Sequence, residues 1–325
     1  MGLWQVNADT MAGSRFVVSV AAETTACMFA LRKAHAGHPA EQRWLAAHLP
    51  AYQARLAGDP ITALLLQAAF GRSWIADFLT PTPPGDGAPS FLDEVAKVRN
   101  TPPEVVHADL EVCLRRPLPA ALRRDDLADR AADLLEWVWA EAVERYWPKR
   151  QRILEADIVA RTSRLGQGGW AAALDDMRQG MRWLGENRLQ INTLDNPPRD
   201  VRNAQLMFVP VTPRWGWVSW SSGRRFCVVY PCSGTLAEPD PAPVPDALAR
   251  LLGAGRAAVL MLLDTPKSTS HLVALTGQPL GSVGRHLKIL LDAGLVQRRR
   301  SGRSVLYYWT EPGQVLVTAP ARHHR

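Results

Sequence analysis

The fold of the C-terminal part is decided by 28 residues, SVGRHLKILLDAGLVQRRRSGRSVLYYW (282–309). At about 100° per residue, helical spacing places Val283, Leu287 and Leu290 on one inward face. The opposite face collects two glycines, two cations and one acid: Gly281, Gly284, Arg285, Lys288 and Asp292. Because two of these residues are glycines, little side-chain bulk separates the helix backbone from whatever lies against it. Such a face, with Arg and Lys beside the glycines, suits a helix in the DNA major groove.

The residues around this helix predict a compact helix-turn-helix followed by a hairpin. STSHLVALTG (268–277) predicts a short helix capped by Ser268 or Thr269. Gly294 then predicts the end of the second helix, and two strands follow around a Ser301-Gly302 turn. The strands carry four cations that are expected to meet phosphates or a minor groove: Arg298, Arg299, Arg300 and Arg303.

Helix, turn, helix and basic hairpin together resemble the winged helix-turn-helix of bacterial ArsR-type repressors over residues 247–310. The blocks RHLKIL, DAGLV and GRSVLYY occur in order and at tight spacing. The resemblance implies a repressor that binds double-stranded DNA as a homodimer. Arg285 and Lys288 are then expected at base edges, and Ser282 at a phosphate or a base. A winged helix used for protein contact, or a solvated basic hairpin, is the alternative interpretation.

Charge separates the chain into two parts. Residues 247–325 contain eleven Lys and Arg against three Asp and Glu, a net +8, whereas the whole chain carries +7. Residues 1–246 therefore carry a net −1. This asymmetry predicts a polyanion partner for the last quarter of the chain and a different task for the rest.

The fold class expected for the whole chain is α+β and mostly helical. A large N-terminal helical domain with a small β-sheet (residues 1–235, of which 1–14 are a candidate for disorder) precedes a Pro-rich linker, LAEPDPAPVPD (236–246). A winged helix-turn-helix (247–318) and a tail (319–325) follow. Blocks such as RYWPKRQRILEADIVARTSRLGQGG also resemble bacterial regulators in which a long N-terminal domain precedes an ArsR-type unit. That resemblance brings no chemistry with it.

The N-terminal domain offers no recognised catalytic, cofactor or metal motif. GxxxxGK, HExxH and GxSxG are missing from the sequence, and so are the metal ligands that many ArsR-type sensors use. Four scattered cysteines suit a reduced cytoplasm, and no apolar run is long enough to predict a membrane span. We therefore expect no enzyme, no metal and no cofactor.

Tryptophan is concentrated between residues 137 and 220, which contain eight of the twelve. Large rings beside a few polar groups build apolar ligand pockets, and they also build ordinary cores and dimer interfaces. The hypothesis is a small organic effector bound near Trp137, Trp139, Trp215 and Trp217. An enzyme-like domain, or a scaffold without ligand control, is the alternative.

Overall fold

The computed structural model describes residues 2–35, 39–71, 74–83, 90–174, 177–194, 196–221, 224–232, 244–264, 267–301 and 304–318. Most of these residues are helical. The elements up to residue 174 are β1 (Gly2–Gln5), α1 (Ala8–Ala12), β2 (Arg15–Phe16), α2 (Val20–Lys33), α3 (Pro39–Ala57), α4 (Pro60–Ala69), α5 (Phe91–Arg99), α6 (Pro103–Leu114), α7 (Leu127–Val138) and α8 (Trp147–Leu174).

Side-chain caps fix where several of these helices begin. The hydroxyl of Ser19 accepts from the backbone of Ala22 at the start of α2, and Ser90 forms a reciprocal capping box with Asp93 at the start of α5. The apolar faces of α2–α7 then enclose one large core, in which Leu65 and Leu135 are buried. The sequence offers Asp125 or Asp126 as a cap for α7. Asp126 occupies the capping position, but its carboxylate bonds arginine side chains and does not cap the helix.

The apolar repeat in DDLADRAADLLEWVWAEAVERYW (125–147) predicts one long helix, but the structure interrupts it between α7 and α8. Trp139–Val143 forms a π-helical turn and Glu144–Tyr146 a 3₁₀ turn before α8 begins at Trp147. Near its end, α8 contains a kink at Gly168 and Gly169, where the backbone is non-helical. The glycine cluster in GQGGW (166–170) predicts a helix stop, and the structure has a break there within a longer helical run.

Two four-stranded sheets pack beside the helices. Their remaining strands are β3 (Arg182–Gly185), β4 (Arg188–Asn192), β5 (Arg199–Asp200), β6 (Gln205–Val211), β7 (Val218–Ser221) and β8 (Arg225–Pro231). The strand orders are β3-β4-β1-β5 and β2-β6-β8-β7. The runs WGWVSW and RFCVVY flank SSGR in the sequence, which predicts a hairpin, and β7 and β8 do pair antiparallel.

The first fourteen residues differ from the expectation of disorder. β1 pairs with both β4 and β5, and Trp4 and Val6 are buried in the core between the sheets and α8. An alternation of apolar side chains over only four residues is too short a signal to predict such a strand. The residues that pair with the strand and stabilise it also lie more than 180 residues away in the sequence.

The last part of the described chain contains α9 (Asp246–Leu252), α10 (Ala254–Met261), β9 (Lys267–Ser268), α11 (Thr269–Thr276), α12 (Leu280–Asp292), β10 (Val296–Ser301), β11 (Ser304–Trp309) and α13 (Glu311–Thr318). The apolar repeat of residues 247–263 predicts one helix, but Gly253 takes a positive φ of 83° and separates α9 from α10. A short final helix, α13, begins despite Pro312, because proline is tolerated in a first helical turn.

The C-terminal part touches the helical part through α11 and α8. Leu275 of α11 packs against a buried cluster that includes Ile153 and Leu154 of α8 and Cys232, just after β8. The predicted linker lies mostly outside the described residues, which resume at residue 244. Within the described ranges, no helix combines the length and the apolarity that crossing a membrane requires.

Candidate nucleic-acid interface

The helix-turn-helix is held together by the inward face that the sequence predicted. Val283, Leu287 and Leu290 are each at most 1% exposed and pack against Leu272 of α11. Gly277 connects the two helices with a φ of 66°, a left-handed conformation that glycine adopts at little cost. The outward face of α12 is thereby fixed in orientation.

The outward face of α12 is open. Arg285 and Lys288 are exposed, and Ser282 is half-buried. Apart from α12 itself, no atom of the described residues lies within 4 Å of the position that a Cβ would take at Gly281 or Gly284. Backbone and cationic side chains therefore share one accessible strip on the helix. A flat object such as a base-pair edge can approach this strip closely.

His286 stands beside this strip without belonging to it. The ring is half-buried, and its Nε2 atom lies 2.8 Å from the position of a Cβ built on Gly255 of α10. Burial, together with the charges of Arg256 and Arg285, lowers the pKa of His286. Helical spacing in the sequence places His286 towards the inward side of α12, and its imidazole packs there against α10.

The hairpin β10–β11 follows α12 after a left-handed turn at Gly294. Its antiparallel register pairs Arg298 with Tyr307 and Arg299 with Leu306. Successive side chains alternate between the faces of a strand, so the exposed side chains of Arg298 and Arg299 point to opposite sides of the hairpin. The backbone of Arg300 continues this strand, but its side chain and all of Arg303 lie outside the described residues.

Two contacts anchor the base of the hairpin to the rest of the unit. The indole Nε1 of Trp309 donates to the carbonyl of Leu260 on α10 over 2.6 Å. Gly313 of α13 lies so close to the carbonyl of Leu295 that a Cβ would be 1.9 Å from its oxygen. Glycine is therefore required where α13 crosses the start of the hairpin.

The four tryptophans proposed as ligand contacts are not gathered around one point. Trp137, Trp139 and Trp215 pack against the large helical core, whereas Trp217 lies among the side chains of the β6–β8 sheet. Trp139 stacks on Phe91 with a centroid distance of 4.9 Å, and Trp215 stacks on Phe29 at 6.0 Å. The spacing of Trp215 and Trp217 in WGWVSW predicts that they share one face of a strand, but β7 begins only at Val218.

The most unusual polar site of the N-terminal part was missed by the sequence reasoning. Glu23 and Arg150 are both fully buried, and the Nη1 atom of Arg150 donates to the Oε1 atom of Glu23 over 2.5 Å. The same nitrogen donates to the hydroxyl of Thr212 and to the sulfur of Cys27. A lone Glu in the apolar stretch VVSVAAETTACMFAL was the one available signal, since buried carboxylates require partners.

Metal ligands do not converge anywhere in the described ranges: no group of three or more His, Cys, Asp or Glu side chains is placed to hold an ion. His48 is buried and approaches the hydroxyl of Tyr146, His35 is exposed, and His38 lies outside the described residues. All four cysteines are buried as thiols.

Comparison with known proteins identifies the C-terminal unit. Residues 256–298 match the family model described as "Bacterial regulatory protein, arsR family", so this segment is an ArsR-type helix-turn-helix. Two curated relatives are each named HTH-type transcriptional repressor SmtB, from the CDC 1551 / Oshkosh and H37Rv strains of Mycobacterium tuberculosis. Each is 40% identical over 78 residues, which cover 22% of this chain and 58% of the relative. No solved structure gives a significant match.

Proposed function

We propose that this protein is a DNA-binding transcriptional regulator of the repressor type, in which α12 enters the major groove and the hairpin β10–β11 follows the phosphates. The observation that carries the proposal is the open strip of glycines and cations on α12, within an ArsR-type helix-turn-helix. The relatives that match this unit are named as repressors, which supports the same direction of control. Localisation in the cytoplasm, where DNA is accessible, is part of the proposal.

Each contact has an assigned partner. Arg285 and Lys288 bond base edges, where a forked guanidinium pairs best with guanine, and Ser282 bonds a phosphate or a base. The four hairpin cations contact phosphates, which position the protein without reading sequence: Arg298, Arg299, Arg300 and Arg303. One recognition helix covers few base pairs, so we propose a homodimer on an inverted repeat with half-sites about one helical turn apart.

The proposed organisation divides the chain into residues 1–235, a linker at 236–246, a DNA-binding domain at 247–318 and a tail at 319–325. The N-terminal domain is proposed to bind a small organic effector and to change the DNA affinity of the C-terminal domain. Such control requires unequal binding of the effector to the two forms, and a coupling of about 1–3 kcal/mol gives roughly 5–150-fold regulation. An enzyme or a scaffold anchored by the same unit is the alternative, and it predicts DNA affinity that no small molecule changes.

The experiment is a titration of the full chain with the DNA upstream of its own gene and with a scrambled duplex of equal length. We expect a dimer by light scattering and tighter binding to the upstream DNA by about 10³-fold or more at physiological salt. Arg182→Ala removes an exposed cation from β3. It is the charge-matched control for variants of the interface such as Arg285→Ala, and it should bind DNA like the unaltered protein. Equal affinity for the two duplexes would refute the proposal.

A further inference from the structure

Arg150 uses only part of its hydrogen-bonding capacity. It lies one turn into α8 with no exposed surface, and its Nη1 atom makes the bonds to Glu23, Thr212 and Cys27. Glu23 is itself satisfied further by the backbone N–H of Thr212 at 2.8 Å. The charge of Arg150 is thus balanced, and the ion pair fixes the plane of the guanidinium.

The opposite edge of the same guanidinium has no acceptor. Both Nε and Nη2 are buried, and neither has a hydrogen-bond partner in the described part of the chain. The Nε–H bond and one Nη2–H bond lie in the guanidinium plane and point in parallel from the same edge. A carboxylate matches that pair of donors with two parallel bonds, which is the strongest complement an arginine edge can find. Buried donors left without acceptors are costly, so the edge is prepared for an occupant.

Two aromatic rings lie against the guanidinium group of Arg150. The Cζ atom of Arg150 lies 5.2 Å from the ring centre of Trp44 and 5.9 Å from that of Tyr146. His48 connects the two, since its ring contacts Trp44 and its Nε2 atom lies 3.2 Å from the Tyr146 hydroxyl. Flat apolar walls beside a fixed cation favour a ligand that is itself aromatic.

The position of these rings depends on the irregular turn before α8. The indole nitrogen of Trp44 donates to the carbonyl of Ala142 over 2.8 Å, and Ala142 lies within the π-helical turn Trp139–Val143. Tyr146 ends the 3₁₀ turn that follows. π-Helical turns inside helices occur frequently at functional sites, and this one supports the wall of the Arg150 site.

We propose that the free Nε and Nη2 edge of Arg150 binds the carboxylate of an aromatic organic acid, with Trp44 and Tyr146 against its ring. The inference rests on the proposed function, for which it supplies the effector site and the class of effector. It also moves that site away from Trp215 and Trp217. Burial raises the pKa of the Cys27 thiol, and the nearby carboxylates of Glu23 and Glu41 raise it further, so negative charge is already present around the site. A neutral isostere of the ligand is therefore the essential comparison.

A short path joins this site to the DNA-binding unit. Ile153 and Leu154 follow Arg150 by one turn of α8 and belong to the cluster that contacts Leu275 of α11. Only two residues after Arg150, the Nη1 atom of Arg152 lies 3.5 Å from the position of a Cβ built on Gly277, in the turn before α12. A small rotation or shift of α8 on ligand binding would therefore be felt where α12 begins.

The test compares benzoate, phenylacetate and indole-3-acetate with their three carboxamides on the full chain. The readouts are the melting temperature, the affinity for the upstream DNA, and the NMR signal of the Arg150 Nε–H, assigned by its loss in Arg150→Lys. We expect at least one acid to raise the melting temperature by several degrees, to move the Nε–H signal and to change DNA affinity by at least about fivefold, and its amide to do none of these. Arg150→Lys keeps a cation beside Glu23 and lacks the parallel pair of donors, so it should lose the response.

The NMR readout on the unaltered protein keeps the proposal testable even if Arg150→Lys fails to fold. The proposal is overturned if no acid moves the Nε–H signal, if the amides act equally, or if Arg150→Lys folds and responds in full. An acid that moves the signal and leaves DNA affinity unchanged supports the site and removes its role as effector site. If the protein without ligand binds the upstream DNA no more tightly than the scrambled duplex, the proposed function itself is refuted. That measurement does not involve Arg150, so the two failures can be told apart.

Discussion

Replacing Glu23 by Gln tests the energetic role of the buried ion pair. Glutamine keeps the shape and can still accept from Thr212, but it carries no charge and turns N–H groups or a neutral oxygen towards Arg150. Because both partners have no exposed surface, water cannot compensate the remaining cation. Breaking a buried pair from one side costs about 3–5 kcal/mol. That loss is a large fraction of a typical total stability of about 5–15 kcal/mol.

The assay is thermal and urea unfolding of the full chain. A loss of this size lowers the melting temperature by roughly 6–20 °C, at about 2–4 °C per kcal/mol for a domain of this size. Asp200→Asn is the matched control, since it also removes one carboxylate charge from an ion pair. Asp200 and its partner Arg202 are more than half exposed, and the control should melt with the unaltered protein.

A small effect would refute the reasoning. A difference of less than 2 °C between the melting temperatures of Glu23→Gln and Asp200→Asn corresponds to a loss of about 1 kcal/mol or less. In that case Arg150 is compensated by water or by other acceptors. The free edge of Arg150 would then be hydrated, and the buried pair would not be needed to hold the guanidinium.

The other predictions concern the α12 strip, the hairpin and one acid. Gly281→Ala and Gly284→Ala should each stabilise α12 by about 0.5–1 kcal/mol and still weaken DNA binding, since a methyl group fills the open strip. Calorimetry measures the first effect and a DNA titration the second, and unchanged DNA affinity would exclude these glycines from the interface. Arg298→Ala and Arg299→Ala should weaken binding to all duplexes alike and each reduce the salt slope by about one, whereas an effect on one sequence alone would contradict a phosphate contact. Burial, reinforced by Asp109, raises the pKa of Asp77 to about 7. Its carboxyl group ionises in the unfolded chain first, so stability should fall as pH rises from about 4 to about 7 and level off above. Asp77→Asn should flatten this profile in urea unfolding, and a profile that keeps its slope would contradict the raised pKa.

The helix-turn-helix could be predicted because its signals are local. Val283, Leu287 and Leu290 repeat at helical spacing, Gly277 and Gly294 mark turns, and neither requires knowledge of distant residues. The same reasoning joined α9 and α10, because it weighed their apolar repeat above a single glycine. Gly253 prevails because its positive φ ends one helix and redirects the chain.

The buried site could not be predicted because its members come from four distant segments. Glu23, Trp44, Arg150 and Thr212 are brought together only when α2, α3, α8 and the end of β6 pack. Local spacing carries no information on such contacts. The π-helical turn is equally hidden, since the residues of Trp139–Val143 continue the apolar repeat of α7 and differ from an α-helix only in hydrogen bonding.

The tryptophans of the effector hypothesis are divided between two cores. Trp215 precedes β7 and packs with the helices, and Trp217 packs with the sheet, although only one residue separates them. A concentration of large rings along the chain reflects the amount of core that they fill. Trp44, outside the tryptophan-rich region, is the ring that lies against the buried arginine.

The most direct test of the account is the affinity of Arg285→Ala for the operator and for variants of that operator changed one base pair at a time. The account predicts a loss of about 1–3 kcal/mol on the operator, and a single position at which Arg285→Ala no longer discriminates between base pairs. Discrimination at all other positions should be retained. If Arg285→Ala loses the same free energy on every duplex, scrambled DNA included, then the exposed face of α12 does not read bases and the central claim is wrong.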